Sequence, residues 1–180
     1  MMSRRHILVV ALAALAALGC YALVAAPKRP DGGAGLLAIG ANAPDFTALD
    51  TAGKQITLAS LRGKPAVVFF YPKDGTPGCT KEACAFRDSF NEYERRGAVL
   101  IGVSSDSESS HTKFRAEHKL QFPLASDESG AVANAYGVKR FASLAQRITF
   151  VVGKDGKIVK VFPDVDPGVH AQEVLAALPQ

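Results

Sequence analysis

Cysteine is scarce in this chain, with 3 among 180 residues, and their placement excludes two common uses. Cys20 lies in an N-terminal apolar run, which leaves only Cys79 and Cys84 for the folded part. A bridge between residues five apart closes too small a loop to staple a fold, and this spacing falls outside the usual zinc patterns. Charge of one sign is also lacking. Arg4 and Arg5 account for two of the 21 basic residues, so residues 27–180 carry 19 basic against 17 acidic side chains, which is no nucleic-acid signature. His111 and His118 are seven apart on an expected helix and share a face, but no third ligand accompanies them, so the pair reads as a solvated helix face rather than a metal site. The chain is long enough for one hydrophobic core and not for two.

What is present centres on Pro72-Lys73-Asp74-Gly75-Thr76-Pro77-Gly78-Cys79-Thr80-Lys81-Glu82-Ala83-Cys84. The run before it, from Pro65 to Tyr71, is continuously apolar and rich in β-formers, as a strand buried on both faces should be. Pro72, Gly75, Pro77 and Gly78 break that strand. From Thr80 onward, Ala83, Phe86, Phe90 and Tyr93 recur at three- and four-residue steps as one apolar helical stripe. Cys79 therefore falls near a helix N-terminus, where the macrodipole and free N–H groups favour a thiolate.

Activation alone is a modest gain. Lowering a cysteine pKa from ~8.5 toward ~6 raises the thiolate fraction at pH 7 only about thirtyfold and weakens the nucleophile. Fast chemistry also needs donors on the bond being broken, and Thr76 is a candidate. Blander roles stand beside these: Cys84 as helix packing, Thr76 as a turn or N-cap residue, and Arg147 as the solvent end of a buried strand.

Pro72-x-x-x-Thr76-x-x-Cys79 resembles the active-site motif of peroxiredoxins, and Cys84 five residues later is similar to the bacterioferritin-comigratory or plant Q-type subgroup. The resemblance extends through Ala43-Pro-Asp-Phe46, Leu58 to Lys64, Gly102-Val-Ser-Ser-Asp106, Phe122-Pro-Leu124, Tyr136-Gly-Val138 and Arg147-Ile-Thr-Phe-Val151. It implies a peroxidatic Cys79, a resolving Cys84, a Thr76 that hydrogen-bonds thiolate and peroxide, a Pro72 that shields the pocket, and an Arg147 that holds the thiolate and polarises the peroxide. The partners it implies are a peroxide substrate and thioredoxin or a similar dithiol reductant, with no metal or organic cofactor. On an ideal helix, Cα atoms five residues apart are roughly 8–9 Å apart, whereas a disulfide wants less than about 7 Å. A Cys79–Cys84 bridge therefore requires local unwinding.

The chain divides into a signal peptide or membrane anchor over 1–26, a flexible linker over 27–39 and a domain over 40–180. Ser3-Arg-Arg-His6 precedes an apolar stretch from Ile7 to Ala26, addressing the chain to the bacterial cell envelope, facing the periplasm. The Arg pair resembles a twin-arginine signal, Ala17-Leu-Gly-Cys20 invites acylation at Cys20, and about 20 apolar residues can just span a bilayer, so cleaved, acylated and retained forms are all open. In the domain we expect a hairpin of 46–49 with 55–58, a central strand 66–71, the Cys79 helix, a strand 98–104 and a helix 107–118. A short segment 122–125, a helix 130–136, a hairpin of 148–152 with 158–162 and a closing helix 169–178 complete it. Gly153-Lys-Asp-Gly-Lys157 reads as the turn of that hairpin, not a phosphate loop.

This order gives an α/β protein with a mixed central sheet flanked by helices on both faces, which fits the thioredoxin-like fold that the resemblance implies. The expected function is a thiol peroxidase acting on hydrogen peroxide and organic hydroperoxides, monomeric because its resolving cysteine is intramolecular. Two rivals stand beside it: an exported thiol-disulfide oxidoreductase, which would leave Thr76 and Arg147 idle, and a redox-sensing binding module exposed when the Cys79 helix unwinds.

Overall fold

The computed structural model describes residues 29–179, so the leader assigned to residues 1–26, with Cys20, lies outside the described residues. The strands are β1 (Thr47–Leu49), β2 (Gln55–Thr57), β3 (Ala66–Phe70), β4 (Val99–Ser104), β5 (Leu124–Ser126), β6 (Arg140–Phe141), β7 (Leu144–Ala145), β8 (Ile148–Val152) and β9 (Ile158–Phe162). The α-helices are α1 (Pro77–Asp88), α2 (Phe90–Arg95), α3 (Glu108–His118), α4 (Ala131–Tyr136) and α5 (His170–Ala176). Seven strands form one mixed sheet in the order β2-β1-β5-β4-β3-β8-β9, and β6 with β7 forms a separate ribbon.

β3 is buried at every position, as its unbroken apolar run requires. It lies parallel to β4 and antiparallel to β8, with Phe70 opposite Ile148 and Ala66 opposite Val152. Because side chains alternate along a strand, β3 feeds two cores. Val67, Phe69 and Tyr71 face a cluster with Cys79, Ala83, Phe86, Tyr93 and Val174, under α1, α2, α3 and α5. Val68 and Phe70 face a second cluster with Phe46, Ala133, Tyr136 and Phe150, under α4. Each large apolar side chain taken fully from water is worth roughly 1.5–3 kcal/mol, so both faces hold the sheet.

The expected hairpins form, and the Gly153 N–H donates to the Lys157 carbonyl at 2.8 Å in the turn between β8 and β9. The Cys79 helix starts at Pro77, before Thr80, because Pro77 at its first turn presets the helical φ while Thr76 stays extended. The apolar stripe from Ala83 to Tyr93 spans two helices, since Ser89 (φ −96°, ψ 2°) ends α1 and begins α2. The β6–β7 ribbon was not anticipated. Its turn uses Ala142 and Ser143 at positive φ without the Gly or Asn that normally announce it.

Leu37, within the segment read as a linker, is buried in the second core, and its N–H donates to the Tyr136 carbonyl at 3.1 Å. Gly137 makes room for this segment: its φ is +71°, and a Cβ there would lie 1.8 Å from the Gly35 carbonyl oxygen.

Candidate active site

The site lies where β3 and β8 end together. β3 delivers the chain into the loop that leads to Cys79, and the residue before Ile148 on the facing strand is Arg147. A sequence separation of 68 residues is thus closed by a five-pair ladder. Tyr71 is buried, Pro72 forms a half-buried bend, Asp74-Gly75 turns with Gly75 at φ +69°, and Thr76 takes the N-cap of α1. The first intrahelical bond runs from the Thr80 N–H to the Thr76 carbonyl at 2.8 Å. Cys79 is the third residue of α1, in the turn whose N–H groups have no helical partner, and only 2% of it is exposed.

Arg147 Nη2 donates to Cys79 Sγ at 3.2 Å, and Nη1 bonds the Glu82 carboxylate one turn further along α1. Glu82 is buried, its Oε1 has no partner among the described residues, and burial pushes its carboxyl up to about 7 against the pull of Arg147. Burial works against the Arg147 charge, but Glu82 and Cys79 outweigh it and hold the guanidinium above its ordinary value. The result is a permanent cation on a buried sulfur, with a carboxyl that titrates near neutrality as its counterweight.

Cys84 is half-buried on the same helix, and both thiols are free. α1 runs unbroken from Pro77 to Asp88, the helical arrangement expected when the two cysteines are not bridged. The Thr76 hydroxyl donates to the Lys73 carbonyl at 3.1 Å and makes no side-chain cap, so neither the thiolate bond nor the N-cap bond expected of it is present in this state. The structure thus brings Pro72, Thr76, Cys79 and Arg147 to one end of the sheet, with Cys84 further along α1.

The solvated-face expectation for the two histidines is corrected at His111. Its ring is wholly buried, with Nδ1 2.9 Å from Asp74 Oδ2 and Nε2 3.2 Å from the Ala125 carbonyl, because α3 packs on β5 and the Cys79 loop. His118 stays partly exposed against the ring of Phe114. Glu82, Asp74 and His111 were all missed by sequence reasoning. Glu82 follows Cys79 by one turn and could have been placed on the buried face; Asp74 reads as a turn residue; His111 and Phe114 mark a stripe that solvent-face reasoning overlooked. Among the described residues, no group of three His, Cys, Asp or Glu is arranged to hold a metal ion.

Comparison with known proteins places this geometry. The model of the AhpC/TSA family matches residues 39–161. The chloroplastic peroxiredoxin Q of Sedum lineare is 43% identical over 142 residues, which cover 77% of this chain and 76% of that protein. The crystal structure of peroxidoxin BcpB from Mycobacterium tuberculosis shares 38% identity and superposes with a TM-score of 0.71 over 77% of this chain and 94% of that one. A bacterioferritin comigratory protein from Xanthomonas campestris, whose structure is described with its alkyl peroxide reduction activity, shares 37% identity at a TM-score of 0.67 over 73% and 88%. With a thioredoxin-like peroxiredoxin fold and a buried cysteine held by an arginine, the chain belongs to the AhpC/TSA family, is similar to peroxiredoxin Q and bacterioferritin comigratory proteins, and is a thiol peroxidase.

Proposed function

We propose that Cys79 is the nucleophile that takes the peroxide oxygen, Arg147 its electrostatic partner and Cys84 the thiol that resolves it. The 3.2 Å contact of Arg147 Nη2 with Cys79 Sγ carries this assignment, because a half-buried cation on a buried sulfur favours the anionic sulfur and the charge that develops on the leaving oxygen. The sulfur lone pair attacks the nearer peroxide oxygen, the O–O bond breaks, and the leaving oxygen departs with a proton as water or alcohol. Cys79 is then a sulfenic acid. Thr76, after its hydroxyl turns from the Lys73 carbonyl, supplies a second donor, and Pro72 shields the pocket. Once α1 unwinds, the Cys84 sulfur attacks the Cys79 sulfur, water leaves and a disulfide forms. A thioredoxin-like dithiol returns the two electrons by disulfide exchange. Both cysteines lie on one helix, so the cycle runs in a monomer. Hydrogen peroxide and organic hydroperoxides are the substrates, and the N-terminal segment carries the enzyme to the bacterial envelope.

Stopped-flow oxidation of the reduced protein by hydrogen peroxide and an alkyl hydroperoxide, beside Cys79→Ser and Cys84→Ser, tests the assignment. The expected rates exceed those of a free thiol by orders of magnitude, vanish in Cys79→Ser, and persist in Cys84→Ser with a sulfenic acid detected by mass. Catalytic turnover with thioredoxin is expected only when both cysteines are present. Rates no faster than a free cysteine would refute the proposal.

A further inference from the structure

Asp74 lies five residues before Cys79 and is held from several directions. Its N–H donates to Asp106 Oδ2 at 2.8 Å, its Oδ1 accepts from the Tyr71 hydroxyl at 2.7 Å, and its Oδ2 accepts from Ser110 Oγ at 2.8 Å. The same Oδ2 is 2.9 Å from His111 Nδ1, while His111 Nε2 faces the Ala125 carbonyl at 3.2 Å. Both side chains are nearly sealed from solvent, at 6% and 0% exposure.

The proton count follows from the partners. A carbonyl oxygen only accepts, so Nε2 must carry a hydrogen. The Asp74 carboxyl takes a hydroxyl hydrogen at each oxygen, from Tyr71 at Oδ1 and from Ser110 at Oδ2, as an ionised carboxylate does, so it also only accepts. Nδ1 must then carry a hydrogen too, and an imidazole protonated on both nitrogens is a cation.

We infer that His111 is a buried imidazolium whose ion pair with Asp74 positions the Pro72–Thr76 loop for the peroxide step at Cys79. The inference rests on the assignment of Cys79 as the peroxidatic cysteine. His111 touches neither sulfur nor peroxide and is a positioning residue. The loop carries Pro72 and Thr76 but belongs to no strand or helix, so the Asp74 anchor fixes where both stand. The donors on Asp74 come from α3 and Tyr71, and the acceptor beyond His111 from β5, none of which belongs to the helix that must unwind. The anchor therefore keeps the peroxide pocket in place while α1 opens.

The groups that face His111 come from every element packed against it. From the loop it meets Asp74 and the Tyr71 hydroxyl, which burial keeps protonated well above the usual phenol range. Beyond Asp74, from the segment after β4, lies Asp106, held by Ser104 Oγ at 2.7 Å. From β5 it meets the Ala125 carbonyl, and on its own helix the half-buried Ser110 and the buried Phe114 are its neighbours. A side chain at 111 without this charge leaves the Asp74 carboxylate with no buried cation and weakens the hold of α3 on the loop.

Two measurements on the full chain decide the matter. Long-range 1H–15N spectra of the unmodified protein at pH 7 should show one of its four histidines protonated at both ring nitrogens, lost in His111→Gln. In a Cys84→Ser background, His111→Gln and Asp74→Asn should each slow the peroxide step on the order of tenfold, the double variant no further, as for residues acting as a unit. A neutral His111 in the native protein, or variant rates equal to the parent, would overturn the inference. If the parent reacts only as fast as a free thiol, the peroxidatic assignment falls and the positioning role with it; a neutral His111 in a fast enzyme removes this inference alone. Should the variants fail to fold, the spectra of the unmodified protein still decide.

Discussion

A sulfur, a guanidinium and a carboxyl share the buried start of α1, and the protonation of Glu82 sets the balance among them. Burial raises that carboxyl from an ordinary value of 4.5 to about 7, so between these values the folded chain keeps a proton that the unfolded chain releases. The associated stability is fully present below about pH 4.5 and is lost as pH rises through about 7, a change of about 3 kcal/mol at ~1.4 kcal/mol per pKa unit. Thermal midpoints of the native protein and Glu82→Gln, followed from pH 5 to 8, should diverge, the native protein losing stability relative to the variant as pH rises. Parallel curves would contradict this. Cys79 and Arg147 were legible because motif spacing marks them; the one-turn step from Cys79 could have put Glu82 on the buried face, but not its pairing, because the arginine that meets it is 65 residues away in sequence.

In the proposed cycle, helix α1 has to be stable enough to hold Cys79 at its start and labile enough to let Cys84 reach it. Its ties come from several elements: Arg147 holds Cys79 and Glu82, and Arg87 Nη1 donates to the His118 carbonyl at 3.0 Å. Phe86 stacks on Phe69 at 4.7 Å between centroids, and α5 leans on the α1–α2 corner, where Gln172 Nε2 donates to Ser89 Oγ at 3.0 Å. Hydrogen exchange across residues 78–90 should therefore be slow in the reduced protein and fast in the disulfide form, while β3 and β8 stay protected in both. Equal protection of 78–90 in the two forms would show that the bridge forms without unwinding. Strand periodicity and turn residues made the long elements readable in advance. The break at Ser89 and the β6–β7 ribbon were not, since neither carries a Gly or Pro and both depend on what the chain packs against.

On the proposed reading, the whole molecule joins this enzyme to an N-terminal segment that directs it to the bacterial envelope. Fractionation of cells expressing the full chain, beside a chain lacking residues 1–26 and a Cys20→Ser variant, should find the full chain in the envelope and the shortened one in the cytoplasm. Identical cytoplasmic distributions would refute the envelope assignment, and the Cys20 variant distinguishes acylation from the other routes.

In the proposed cycle, the two cores that β3 feeds divide the labour. The helix that opens, together with Cys79, Ala83 and Phe86, leans on one face of the sheet; Tyr136, Phe150 and Phe46 pack the other without touching it. An opening of α1 therefore disturbs one cluster while the second keeps the strands in register, and with them the distance from Arg147 to the place where Cys79 must return. The protein can come partly undone once per turnover because half of its interior takes no part in the motion and serves as the template on which the other half closes again.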